Sequence, residues 1–156
     1  MSVSAIHAPS LDDVVDLMHG LFALEVKPFA KTTEAIYSIA EYANKAGEVV
    51  GYIGCDLAGG CRLGAALTQV PAGRVAEAVA EGAIPESLVE NLNEVFNISV
   101  NLIVPADGSR VVFKRAVHGS SDAEFASIRE KLESLSKSEF CFDVARYGVC
   151  QMFVAN

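Results

Sequence analysis

Val49-Val-Gly-Tyr-Ile-Gly-Cys-Asp-Leu-Ala-Gly-Gly-Cys-Arg-Leu-Gly-Ala-Ala-Leu-Thr-Gln-Val70 is the stretch on which the fold turns. Val49–Leu57 reads as a strand from its β-branched and aromatic residues. Gly59-Gly60 is a hairpin signal, and Arg62–Val70 follows as a further strand. A second hairpin is predicted near the end of the sequence, where Phe140–Ala145 and Val149–Val154 flank Tyr147-Gly148. Tight turns of this kind join antiparallel strands, which argues against a purely parallel sheet.

Outward from that stretch, Ala35–Ala43 carries β-branched and aromatic residues without a helical stripe, and it leads into the turn Asn44-Lys45-Ala46-Gly47. Arg110–Val117 is a strand after the turn Asp107-Gly108. Helices fill the rest. Ser10–Leu24 has Ser10 as N-cap and Asp12 and Asp13 in its first turn, where the helix dipole favours acids. Leu11, Val14, Val15, Met18, Leu21 and Phe22 recur there at helical spacing, and Lys27-Pro28 ends the pattern. Pro71 opens a short helix that runs through Val75, Ala78 and Val79 to Gly82. Ser121–Leu135, begun by Ser120 or Ser121 with Asp122, buries Phe125, Ile128, Leu132 and Leu135. The expected architecture is α/β in the α+β sense: one domain over residues 1–156, with a mostly antiparallel sheet and helices packed on it.

With 156 residues, 51% of them hydrophobic, a chain can bury a core without disulfide staples. Cys55, Cys61, Cys141 and Cys150 form no CxxC pair and sit in apolar or β-rich runs, so buried reduced thiols are expected. A formal net charge of −8 argues against nucleic acid and against an anionic membrane surface. It suits a partner with a basic patch, or simple solubility. Neither a secretory signal nor a transmembrane run is apparent, so the cytoplasm is the expected compartment. His7, His19 and His118 are too scattered for metal-ligand spacing, and Asp16 with His19 reads as a solvated helix face. Gly59-Gly60-Cys61-Arg62-Leu63-Gly64 superficially resembles a phosphate loop. It lacks the Lys-Ser/Thr of one and is read as leading into a strand, which would leave no helix N-terminus for a phosphate.

The longest predicted helix is Pro85-Glu-Ser-Leu-Val-Glu-Asn-Leu-Asn-Glu-Val-Phe-Asn-Ile-Ser-Val-Asn-Leu-Ile-Val104. Leu88, Leu92, Val95, Phe96 and Ile103 lie broadly on one side. Glu86, Glu90, Glu94, Asn97 and Asn101 are three or four residues apart and form a polar stripe. Its glutamates repel one another by a few tenths of a kcal/mol per pair (~0.2–0.5), and no basic residue occurs from Val75 through Ser109 to offset them. Asparagine is a poor helix former, yet Asn91, Asn93, Asn97 and Asn101 all lie here. A solvated face with acids at the helix start accounts well for Glu86, partly for Glu90 and poorly for Glu94, because the dipole effect fades within a turn. The functional reading is that Asn97 orients a water while Glu94 docks a lysine of a partner. Together they would position that water against a phosphoryl group in the partner's site. Glu90 and Asn101, on the same stripe, are the candidates for partner contact.

In these features the chain resembles the CheC/CheX family of chemotaxis response-regulator phosphatases. Family members carry Glu-x-x-Asn on a long helix, matched by Glu94-Val-Phe-Asn97. The short helix Pro71–Glu81, the strand pair Val49–Val70 before it, and an N-terminal helix ending in Leu24-Glu25-Val26-Lys27-Pro28 follow the family's order. The resemblance implies that Glu94 pairs with the lysine of a phosphorylated receiver domain, that Asn97 orients the attacking water toward its aspartyl phosphate, and that the chain is a homodimer. No cofactor is implied for this chain; a magnesium ion, if needed, would be held by the receiver. The sequence departs from the family's pattern in having Glu90 where Asp or Ser is usual, no glycine soon after Asn97, and no proline near Ser120. A second reading is a catalytically silent dimeric interaction module of the same fold.

Overall fold

The computed structural model describes residues 6–119 and 123–156. In chain order the elements are β1 (Ile6–His7), α1 (Leu11–Phe22), β2 (Val26–Pro28), β3 (Ile36–Asn44), β4 (Val49–Asp56), α2 (Leu57–Thr68), α3 (Ala72–Glu81) and α4 (Glu86–Ile98). A 3-10 helix (Ser99–Leu102) then leads to β5 (Val104–Pro105), β6 (Val111–His118), α5 (Ala123–Leu132), β7 (Lys137–Val144) and β8 (Gly148–Ala155).

Six strands form one sheet in the order β2-β7-β8-β4-β3-β6, and every neighbouring pair is antiparallel. The expected α+β architecture is therefore the observed one, and the terminal hairpin pairs Val144 with Gly148 through Lys137 with Ala155. Alternation along the strands divides the apolar residues between two faces. Ala40, Tyr42, Ile53, Phe142 and Met152 face the layer of α1, α2 and α4. Ile39, Tyr52, Val117 and Phe153 face α5, which covers the other side with Phe125, Ile128 and Leu132.

The stretch Val49–Val70 is where the sequence reading fails. Val49–Asp56 is a strand as expected, but Gly59-Gly60 is no hairpin turn and Arg62–Val70 is no strand. The chain passes from β4 directly into α2. Asp56 caps that helix: its Oδ1 accepts the Gly59 N–H at 3.1 Å. The expected absence of a helix N-terminus beside the glycine run is thereby overturned, although the capping carboxylate itself makes that terminus a poor seat for phosphate. Helix α2 hides its periodicity because it is buried nearly all round, with Cys61, Leu63, Ala65 and Ala66 all in the core. Its glycines serve packing. A Cβ on Gly64 would stand 2.7 Å from the Leu88 carbonyl oxygen, and one on Gly60 would stand 3.1 Å from Leu92 Cδ2, so α2 and α4 approach closely, with little between their backbones at Gly64.

Other boundaries also differ from expectation. The 85–104 helix ends as an α-helix at Ile98 and tightens into the 3-10 turn. There Ser99 Oγ donates to Val95 O at 2.7 Å and Asn101 Nδ2 donates to Ile98 O at 2.9 Å. Side chains that bond their own backbone in this way compete with regular helix. Helix α5 ends at Leu132, short of Leu135, and its expected start at Ser120–Asp122 lies outside the described residues. Lys27-Pro28, read only as a break, lies in the short edge strand Val26–Pro28, which pairs with β7. All four cysteines are free and buried. Among the described residues no helix is long and apolar enough to cross a membrane.

Candidate functional site

Helix α4 is held from three directions, and its free face is what those anchors leave over. Leu88, Leu92, Val95 and Phe96 are buried on the inner side. Beneath it, Tyr42 of β3 donates its hydroxyl to Phe96 O at 2.6 Å, and burial pushes the phenol's pKa well up. Toward α2, Asn91 Nδ2 donates to Gly64 O at 2.9 Å and to Thr68 Oγ1 at 2.8 Å. Toward β6, Asn93 Oδ1 lies 3.1 Å from His118 Nε2, and His118 Nδ1 lies 2.7 Å from Ser38 Oγ. Two of the four asparagines that weaken this helix are thus accounted for as clamps, and a third, Asn101, satisfies the helix end.

Glu86, Glu90, Glu94 and Asn97 remain, all exposed. The ion pairs among the described residues are Lys27–Glu25, Lys31–Glu139, Arg115–Glu41 and Arg115–Glu124, so none reaches this stripe. Asn97 likewise has no side-chain hydrogen bond among the described residues. On an α-helix, Glu94 and Asn97 at i, i+3 bring their Cβ atoms within about 5–6 Å. They present a carboxylate acceptor beside an amide that both donates and accepts. Asn101 is exposed as well, but the tighter 3-10 winding turns it away from the continued stripe. It lines a cavity of about 500 Å³ with His7, Asp13, Asp16, Leu17 and Val104. Glu90 stands one turn before Glu94 on the stripe.

Neither Glu94 nor Asn97 lines that cavity, nor the one of about 450 Å³ that contains Thr32, Glu34, Asp56, Arg62 and Gln151. The pair stands on an exposed helix face. Alone it can neither enclose a small substrate nor exclude water, so any chemistry it does requires a second molecule to supply the reacting group and the enclosure. No group of three His, Cys, Asp or Glu among the described residues is arranged to hold a metal ion.

Glu94 and Asn97 are exposed together as their spacing predicts, whereas the hydrogen bonds of Ser38 and His118 behind α4 are not legible in the sequence. Ser38 and His118 are 80 residues apart, and His118 and Asn93 are 25 apart, so no local spacing announces them. The available signal was a half-polar strand end at His118 beside a helix too rich in asparagine.

No family model matches the chain, and no curated protein matches it either. Solved structures do. Chemotaxis protein CheX from Vibrio vulnificus is 12% identical, with 93% of this chain and 91% of that one covered at a TM-score of 0.46. A chain of the CheX–CheY–BeF3–Mg complex from Borrelia burgdorferi is 13% identical, with 93% of each chain covered and a TM-score of 0.44. A chemotactic CheC-like protein from Shewanella oneidensis is 18% identical, with 94% and 92% covered and a TM-score of 0.44. The chain is similar to CheX and CheC-like proteins along most of its length.

Proposed function

We propose that this chain acts in trans as a phosphatase on the aspartyl phosphate of a receiver-domain protein, with α4 as the inserted element. The observation that carries the reading is that Glu94 and Asn97 are exposed together, with no other side-chain partner among the described residues, one turn apart on a helix clamped from behind. The Glu94-x-x-Asn97 pattern that resembles the CheC/CheX family supplies the chemistry. Glu94 pairs with a lysine beside the phosphorylated aspartate and so sets the helix in the partner's cleft. Asn97 holds a water in line with the phosphorus. The water oxygen bonds to phosphorus as the bond to the aspartyl oxygen breaks, giving inorganic phosphate and a free carboxylate. Positioning of this kind supplies most of the catalysis in phosphoryl transfer, so two side chains suffice when the receiver holds any magnesium ion. Glu90 extends the contact toward the helix start. The same resemblance makes the chain a homodimer in this proposal, which sedimentation velocity would report directly.

The test is the rate at which a phosphorylated receiver domain from the same organism loses phosphate. Wild type accelerates the loss, and Glu94→Ala combined with Asn97→Ala does not. Acceleration that survives the double substitution removes α4 from the mechanism. A second reading, the catalytically silent interaction module, is favoured by one feature: three like-charged glutamates make a docking stripe without any help from Asn97. Binding of receiver domains without acceleration would select it.

A further inference from the structure

We propose that His118 is a positioning residue for the Glu94/Asn97 face, acting through Asn93; the proposal deepens the phosphatase reading and rests on it for the catalytic part of its test. The geometry is a side-chain relay across three elements. Ser38, fully buried on β3, meets His118 Nδ1 at 2.7 Å, and His118 Nε2 meets Asn93 Oδ1 at 3.1 Å. Asn93 Oδ1 can only accept, so Nε2 carries the proton, and in the neutral ring Nδ1 is left to accept from the Ser38 hydroxyl. The ring is therefore fixed at both nitrogens and cannot turn without breaking a hydrogen bond in a largely buried place. Ser38 and His118 are also register partners in the β3–β6 ladder, so the ring stands on a rigid base.

The relay contacts α4 at Asn93, the residue immediately before Glu94 and one turn before Asn97. Tyr42 fixes the underside at Phe96 and Asn91 fixes the α2 flank. On the β6 flank of α4, His118 is the residue that makes a side-chain hydrogen bond among the described residues. Rotation of the helix about its axis moves Glu94 and Asn97 together, and a misplacement of about 1 Å is enough to lose a catalytic geometry. Ser38 is too deeply buried to meet a substrate, so the Ser–His–Asn order is no nucleophile triad. It is a brace.

The test compares His118→Ala, Asn93→Ala and His118→Gln, which restores a donor toward Asn93, with Ile128→Ala as a control from the opposite face of the sheet. The first readout is amide hydrogen exchange over residues 92–98 and needs no activity. His118→Ala and Asn93→Ala should speed exchange there by about fivefold, the loss of one hydrogen bond. His118→Gln should restore protection, and the control should lower overall stability without a selective effect on these residues. The second readout is receiver dephosphorylation. The two alanine variants should lower kcat while leaving the half-saturating receiver concentration unchanged, and the control should change neither. Exchange over residues 92–98 that follows overall stability in all variants overturns the brace. Unaltered kcat in the alanine variants, with wild type active, also overturns it. An inactive wild type defeats the phosphatase reading alone, and the exchange arm then decides the brace by itself.

Discussion

At the residue scale, buried polar groups are the most sensitive positions. Glu41 is buried with 4% side-chain exposure, and Arg115 meets it at 2.5 Å while also reaching Glu124. Replacing Arg115 by Met leaves a carboxylate inside without its partner, and the loss should be about 2–3 kcal/mol in urea unfolding, discounted from a fully buried pair because Arg115 is partly exposed. His118 gives a pH signature. Burial lowers its pKa from the ordinary 6.5, so the unfolded chain takes up the proton first. Its contribution is full above pH 6.5 and is lost as pH falls below that value toward the folded pKa. Wild type should therefore lose stability between pH 6.5 and the carboxylate range more steeply than His118→Gln. Parallel curves would show that the ring is not sensed. Asn97→Ala, by contrast, should change stability by no more than about 0.5 kcal/mol, as for other exposed positions with no side-chain hydrogen bond among the described residues.

At the element scale, the pairing of α2 with α4 decides where the stripe points. Gly64→Ala places a methyl group against the Leu88 carbonyl, where backbone must give way. The expected cost is about 1–3 kcal/mol, with a loss of the proposed receiver dephosphorylation as α4 is displaced. An unchanged Tm would mean that the two helices are not in close contact. The same pairing explains what the sequence concealed. Strands β3, β4, β6, β7 and β8 were legible because each has a turn at its end and β-branched or aromatic residues within. Helix α1 was legible because Ser10 and Asp13 make a capping box and its inner face is periodic. Helix α2 was not, because a helix enclosed by α4, β8 and α3 needs no polar stripe, and its contact glycines look like turn formers. The stripe on α4 was readable because it is exposed and so keeps its helical period. Its bracing was not, since Gly64, Thr68, Tyr42 and His118 come to α4 only through the tertiary fold.

At the scale of the whole molecule, charge is segregated. Neither residues 1–26 nor residues 75–109 contain a lysine or arginine. The fold brings these two segments together, through pairing of β1 with β5 and around the cavity between α1 and Asn101. On α4 itself Glu86, Glu90 and Glu94 are exposed with no ion-pair partner among the described residues, and such a stripe would attract a basic surface. Affinity for a receiver should fall as salt is added, more steeply for wild type than for Glu90→Gln. Equal slopes would place docking elsewhere.

The most direct measurement is the turnover of phosphorylated receiver by Asn97→Ala at a receiver concentration that saturates wild type, with Glu94 intact. This variant should still bind the receiver and no longer accelerate loss of phosphate. Turnover equal to that of wild type would contradict it.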